Sequence, residues 1–208
     1  MAYVLGFFAT DGNMSPHSNG GHYLEFTSCD KELLIKTRNL LKSSHKISGR
    51  NRNPRGKTAY RIQIGSKILY KDLAELGLTP RKSLTIQFPH VPKQYLGGFI
   101  RGSFDGDGCV YLRKNWAKDR NKLRWVFQTR FTSGSKQFLK SLHSILKSKK
   151  ICKGGYLYTK KGGYELVFSH HDGLAIFHFM YDNVSADMYL KRKYETFQKA
   201  IKILHLGA

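Results

Sequence analysis

The sequence predicts an α+β fold made of two related halves, and three observations carry that prediction. The chain repeats itself once, each copy opens on an apolar segment with a small residue at every fourth position, and each copy then alternates apolar and polar residues with a period of two. An offset of 96 maps Ala2, Gly6, Thr10, Asp11 and Gly12 onto Gly98, Gly102, Gly106, Asp107 and Gly108. Phe26-Thr27-Ser28 recurs as Phe131-Thr132-Ser133, Lys31 and Leu34 as Lys136 and Leu139, and Arg81-Lys82 as Arg192-Lys193. The offset grows along the chain, as expected of a second copy with longer loops.

Each element follows from local pattern. Met1–Asp11 and Lys93–Asp107 are apolar segments of a few helical turns, each closing on Asp-Gly, a helix C-terminal signal. Hairpins come next. Trp125, Phe127, Thr129 and Phe131 alternate with Arg124, Val126, Gln128 and Arg130, the period of a half-buried strand, and Tyr60, Ile62 and Ile64 do the same against Arg61, Gln63 and Gly65. Gly20-Gly21 and Gly162-Gly163 mark turns. Helices are expected over Asp30–Lys42, Ser135–Lys149 and Ala186–Ile203, with Asp30 and Ser135 as N-caps. Pro89-His90-Val91-Pro92 is a short rigid joint, giving expected half-domains at 1–91 and 92–208 that pack closely.

Composition bounds the function. At 208 residues and 40% hydrophobic content the chain can bury a substantial core. Its 36 lysines and arginines against 14 acids give a net charge of +22, which points to a polyanionic partner. A membrane surface would require an amphipathic basic helix, and none stands out. Cys29, Cys109 and Cys152 fit neither a disulfide framework nor a zinc pattern, so a reducing compartment is expected. The apolar start lacks a basic n-region and breaks at Thr10-Asp11-Gly12, so the expectation is a soluble intracellular protein, in cytoplasm or an organelle matrix.

The small residues Ala2, Gly6 and Thr10, and Gly98, Gly102 and Gly106, line one face of each leading helix. Glycine in a helix costs about 1 kcal/mol relative to alanine, so such a stripe implies a close approach that offsets the loss. Packed about a pseudo-twofold axis, the two helices bring Asp11 and Asp107 together at one end. Two carboxylates there repel unless a cation lies between them, and the helix C-termini favour that cation further. Oxygen donors point to magnesium or manganese, and the candidate metal set is Asp11 and Asp107 with Thr10 and Gly106 alongside.

Val4-Leu5-Gly6-Phe7-Phe8-Ala9-Thr10-Asp11-Gly12 and Ile100-Arg101-Gly102-Ser103-Phe104-Asp105-Gly106-Asp107-Gly108 resemble the two motifs of a monomeric LAGLIDADG homing endonuclease. The resemblance spans nearly the whole chain and implies two αββαββα halves, saddle-shaped antiparallel sheets lying in successive major grooves of double-stranded DNA, and staggered cleavage across the minor groove. It makes Asp11 and Asp107 the metal ligands. Ala9 stands where the second motif has Asp105, so an acid at that position is not expected to be essential. The family also places a lysine near the metal site from each half. These match Lys82 and Lys193, either of which could equally be a solvated or phosphate-positioning charge. Ser28 and Ser133 fall where the family often has a polar residue ordering solvent; they could equally cap the following helices, the reading preferred here.

Base reading is expected from strand residues facing the groove. Ser15, His17 and Asn19 stand at the same offsets from Asp11 as Tyr111, Arg113 and Asn115 from Asp107. With Arg61, Gln63, Arg124, Gln128 and Arg130 they form the candidate reading set, while Arg50, Arg52, Arg55 and Lys57 suit phosphate contacts on a loop. Because the two sets differ, the target should be an imperfect palindrome.

Other signals fail. Gly56-Lys57-Thr58 lacks the upstream glycine of a phosphate-binding loop, Asn51 standing there, and Cys109 breaks a calcium loop at Asp105-Gly106-Asp107-Gly108. His170-His171 reads as a loop pair, and neither end of the chain carries the residues of a self-splicing element. The expected activity is site-specific cutting of both DNA strands by a monomer of intron-homing type, without an obligate protein partner. The rival is a binding module, a transcription regulator or RNA maturase, which would need the sheets but not the carboxylates.

Overall fold

Period-two alternation and glycine-faced helices both translate directly into the architecture of the computed structural model, which describes residues 1–17, 20–51 and 56–205. The first repeat runs α1 (Ala2–Asp11), β1 (Gly12–Pro16), β2 (His22–Ser28), α2 (Lys31–Leu40), β3 (Ile47–Arg50), β4 (Ala59–Gly65) and α3 (Lys67–Glu75). The second runs α4 (Leu96–Asp107), β5 (Cys109–Ala117), β6 (Lys122–Ser133), α5 (Lys136–Ser148), β7 (Tyr156–Lys160), β8 (Gly163–Ser169) and α6 (His170–Tyr181), followed by α7 (Lys191–Leu204). Each repeat forms one antiparallel four-stranded sheet, ordered β1-β2-β4-β3 and β5-β6-β8-β7.

Register shows why each sheet has one dry face. Met14 pairs with Leu24, Leu24 with Ile64 and Phe26 with Ile62; all five side chains are buried, Phe26 against Phe7 and Phe8 of α1, with α2 packed on β2 and β4. In the second sheet Phe131 faces Leu166 and Thr129 faces Phe168; α5 packs on β6 and β8 with Phe138, Leu139 and Leu142 buried, while Thr129 donates to Gly173 O of α6 at 3.2 Å. Full burial of each such side chain contributes about 1.5–3 kcal/mol, so the inward rows fix the register and leave the alternate residues on the open face. The second hairpin is longer: β5 and β6 have 9 and 12 residues against 5 and 7 in β1 and β2.

Several local expectations change. The helix expected over Ala186–Ile203 is a 3₁₀ turn at Ala186–Met188 and then α7, separated by extended backbone at Tyr189 and Leu190. His170-His171 does not form a loop but begins α6. Gly12 and Gly108 end their helices in extended rather than left-handed conformation; a Cβ there would lie 2.3 Å from the ring of Phe8 or Phe104, so the missing side chain serves a close approach. Ser135 caps α5 by accepting from Phe138 N at 3.2 Å, whereas the Asp30 side chain makes no cap bond and reaches to α7 instead. None of the helices among the described residues is long and apolar enough to cross a membrane.

Candidate active site and nucleic-acid interface

The two leading helices cross at backbone contact. A Cβ on Gly6 would lie 2.0 Å from the Phe99 carbonyl oxygen, and one on Gly102 would lie 1.9 Å from that of Tyr3. Above the crossing Gly98 meets Ala2; below it Gly106 meets Thr10, and a Cβ on Gly106 would be 2.4 Å from Asp11 Oδ2. All six stripe residues therefore face one another, and the last residues of the two helices, Asp11 and Asp107, come together at one end with both negative dipole ends.

The two carboxyls at that end are buried and oppose each other. Burial, and then repulsion by Asp107, pushes the Asp11 carboxyl up to about 7 against the pull of Lys193, Thr10 and Lys82. Burial also raises Asp107, opposed by Lys193, Lys160 and Lys82. Lys82 and Lys193 are both buried, and burial brings each ammonium down to about 8. Each ends on the carboxyl end of a leading helix. Lys82 Nζ donates to Gly12 O, while Lys193 Nζ donates to the carbonyls of Phe104 at 2.6 Å, Asp105 at 2.9 Å and Gly106 at 3.3 Å. The repeat-based pairing of these lysines thus corresponds to a spatial pairing.

The donor set is oxygen only, which fits a hard divalent cation. Among the described residues no three acid, histidine or cysteine side chains are grouped so that they could hold a metal ion, so the two carboxylates would supply only part of a metal shell. The Thr10 hydroxyl donates to Phe7 O at 3.0 Å and lies 3.4 Å from Asp11 Oδ2, and the Gly106 carbonyl accepts from Lys193. Beside Asp107, a cavity of about 90 Å³ is lined by Thr10, Ser83, Ser133 and Gly134 among others, polar enough to hold water. Ser28 and Ser133 each accept from the backbone N–H two residues on, at 3.1 Å, so both make local turns ahead of a helix.

Sequence reasoning missed a buried network behind the carboxylates. Asp105 accepts from Tyr3, Tyr181 and Leu190 N, and Arg101 donates to the carbonyls of Met180 and Met188. Across the repeats Arg192 grips Asp30 with two bonds of 2.8 and 2.6 Å. A buried acid and arginine on an apolar helix were the available signal, but their partners lie more than seventy residues away.

Register places the candidate reading residues on the open faces. In the second sheet Tyr111 pairs with Gln128, Asn115 with Arg124, and Arg130 with Val167, so Tyr111, Arg113, Asn115, Arg124, Gln128 and Arg130 share one face. Tyr156, Tyr158 and Lys160 of β7 and Glu165 of β8 lie on it too, and were not anticipated although their alternation is readable. Arg130 stacks 4.1 Å from the Tyr111 ring centroid and donates to Gln128 Oε1 at 2.6 Å, which orients its fork. In the first sheet Ser15, Arg61, Gln63 and Arg50 share the open face, where Arg61 pairs with Glu25. His17 follows β1 and is exposed, as is Lys57 ahead of β4. Asn19, Arg52 and Arg55 lie outside the described residues.

Residues 1–76 match the family model of the LAGLIDADG-like domain. Solved structures with the same fold include the LAGLIDADG meganuclease I-AabMI bound to uncleaved DNA, at 14% identity and TM-score 0.65 over 98% of this chain and 90% of that one. The LAGLIDADG homing endonuclease I-LtrWI bound to target DNA matches at 13% identity and TM-score 0.59, over 99% and 90% of the two chains. I-SmaMI bound to an uncleaved DNA target in the presence of calcium ions matches at 12% identity and TM-score 0.57, over 98% and 91%. No curated protein sequence matches the chain. The chain shares the fold of these solved structures over nearly its whole length, and its two repeats each contribute one glycine-faced helix and one sheet.

Proposed function

We propose that the protein is a monomeric, site-specific endonuclease of the homing type that cuts both strands of double-stranded DNA. The observation that carries this reading is the meeting of Asp11 and Asp107 at one end of two helices in backbone contact, with a buried lysine from each repeat beside them. The solved relatives' DNA complexes support the same partner.

Asp11 and Asp107 would hold magnesium or manganese, with Thr10 and Gly106 beside them. A divalent ion there would supply Lewis-acid stabilisation of charge on the scissile phosphate. The protein's own part is positional. Two ammonium groups tied to helix-end carbonyls provide fixed positive charge where negative charge builds as water attacks phosphorus and the bond to the leaving oxygen breaks. A net +22 concentrates DNA at the surface, and the open sheet faces lie in the major groove. There Arg113, Arg124 and Arg130 suit guanine, and Gln63, Gln128 and Asn115 suit adenine. Residues Arg50 and Lys57, with Arg52 and Arg55, would contact phosphates. Because the open faces differ, the two half-sites should differ.

Incubation with a pool of long random duplexes and magnesium, followed by sequencing of ends, tests the reading. Reproducible paired ends at one long motif are expected. Binding enrichment without ends would replace the nuclease by a regulator or maturase.

A further inference from the structure

Asp105 is 1% exposed, carries a carboxylate, and has no counterpart in the first motif, where Ala9 stands. Three donors converge on it: Tyr3 of α1 at 2.8 Å, Tyr181 at the end of α6 at 3.2 Å, and the backbone N–H of Leu190 at 2.7 Å. Leu190 is the N-cap residue of α7. Arg101, one turn earlier on α4, holds the carbonyls of Met180 and Met188, so α4 grips the α6–α7 connection at both ends.

This explains the break in the helix expected over Ala186–Ile203. The Leu190 N–H is turned into the protein toward Asp105, and α7 starts only afterwards. Three residues on, Lys193 sends its ammonium back to the carbonyls of Phe104, Asp105 and Gly106. The main chain of α7 is thus fixed by the side chain of the very residue whose carbonyl receives the lysine. A short closed ring of bonds joins them.

The first repeat reaches a similar end by other means. Lys82 follows Arg81, a left-handed residue at φ 58°, and its segment is held from the other repeat by Ser135 Oγ donating to Ile86 O at 2.6 Å and by Gly134 packed against Ser83 O. These supports carry no net charge and do not involve Ala9.

We propose that Asp105 is the positioning residue for Lys193, holding the first turn of α7 so that this ammonium, and not Lys82, stays at its place beside the scissile phosphate. The proposal rests on the nuclease reading and deepens it. It makes the two strand-cutting centres separately sensitive: loss of Asp105 slows the strand served by Lys193 and spares the strand served by Lys82.

The test compares Asp105→Ala, Asp105→Asn and Leu190→Pro. Proline suits Leu190, whose φ is −80°, and it deletes the donated N–H while leaving Asp105 intact. Strand-resolved single-turnover cleavage is measured together with amide exchange across residues 191–194. Asp105→Ala and Leu190→Pro should slow one strand by about tenfold or more relative to the other, and exchange in the first turn of α7 should rise. Asp105→Asn keeps an acceptor oxygen for Leu190 and should restore most of the strand balance. Equal slowing of both strands, an asparagine variant no better than alanine, or unchanged exchange would overturn the proposal. If Asp105→Ala does not fold, Leu190→Pro against Asp105→Asn decides it. A wild-type protein that cuts neither strand overturns the nuclease reading itself, whereas exchange reports on the Asp105 brace in either case.

Discussion

Gly102→Ala is the sharpest perturbation of the helix crossing. The added Cβ would sit 1.9 Å from Tyr3 O, 2.8 Å from Tyr3 C and 2.9 Å from Phe7 N. All three are backbone atoms, so no rotamer change relieves the clash. Ordinary contact begins near 3.4 Å, and α1 must therefore retreat by about 1.5 Å. Overpacking of this kind costs about 1–3 kcal/mol, alanine's better helix propensity returns about 1, and the rigidity of the contact places the net loss near the upper end, about 2 kcal/mol. The same retreat separates Asp11 from Asp107, and a misplacement of about 1 Å at a reacting centre can cost about a hundredfold in rate. Gly98→Ala is the internal control. Its Cβ would meet Ala2 Cβ at 3.7 Å and Tyr3 N at 3.8 Å, ordinary contacts, so it should be neutral or stabilising by up to about 1 kcal/mol. Urea unfolding and single-turnover cleavage of both variants measure this. Equal stability and equal cleavage for the two would refute the close-packed crossing.

Three further outcomes are expected. The Asp30 carboxyl lies below its usual value, first because Arg192 hydrogen-bonds it, so its contribution is fully present above the ordinary carboxylate range and is lost as pH falls through the lower folded value. Arg192 is more than half exposed, so the loss in Asp30→Asn should be under about 1 kcal/mol near neutrality and vanish in acid, as followed by unfolding midpoints against pH. If the protein neutralises about ten phosphates, log affinity should fall against log salt with a slope near −9, and Lys57→Ala should flatten it by about one without altering base preference. Gln128→Ala removes the acceptor that orients Arg130 and should weaken discrimination at one base pair of the second half-site by about 1–3 kcal/mol, read from a single-substitution binding panel.

What was legible in the sequence was whatever repeats at short period or across the two copies. The glycine stripes gave the crossing, alternation from Trp125 to Phe131 gave β6 and its dry face, and the doubled Asp-Gly gave the paired carboxylates. Contacts that break the repeat were not legible. Asp105 has no mate in the first motif, its partners Tyr181 and Leu190 are 76 and 85 positions away, and the break they impose at Leu190 overrides the helical pattern of 186–203. Likewise Asp30 has the composition of a cap but spends its carboxylate on Arg192, a partner 162 residues distant. The candidate reading face was half visible. Tyr111 to Asn115 followed from the offset to Asp107, while Tyr156, Tyr158 and Lys160 join that face only through the β6-β8-β7 pairing.

The central claim is that Asp11 and Asp107 perform chemistry while the basic sheets perform binding. Strand-resolved cleavage by Asp11→Asn and Asp107→Asn, measured beside a binding curve for each, tests it most directly. Either substitution keeps shape but removes a negative charge and a strong ligand. Each should abolish or severely reduce cutting of both strands while specific affinity is kept or slightly improved, and calcium should support binding without turnover. Near-normal cutting of both strands by Asp107→Asn would contradict the account.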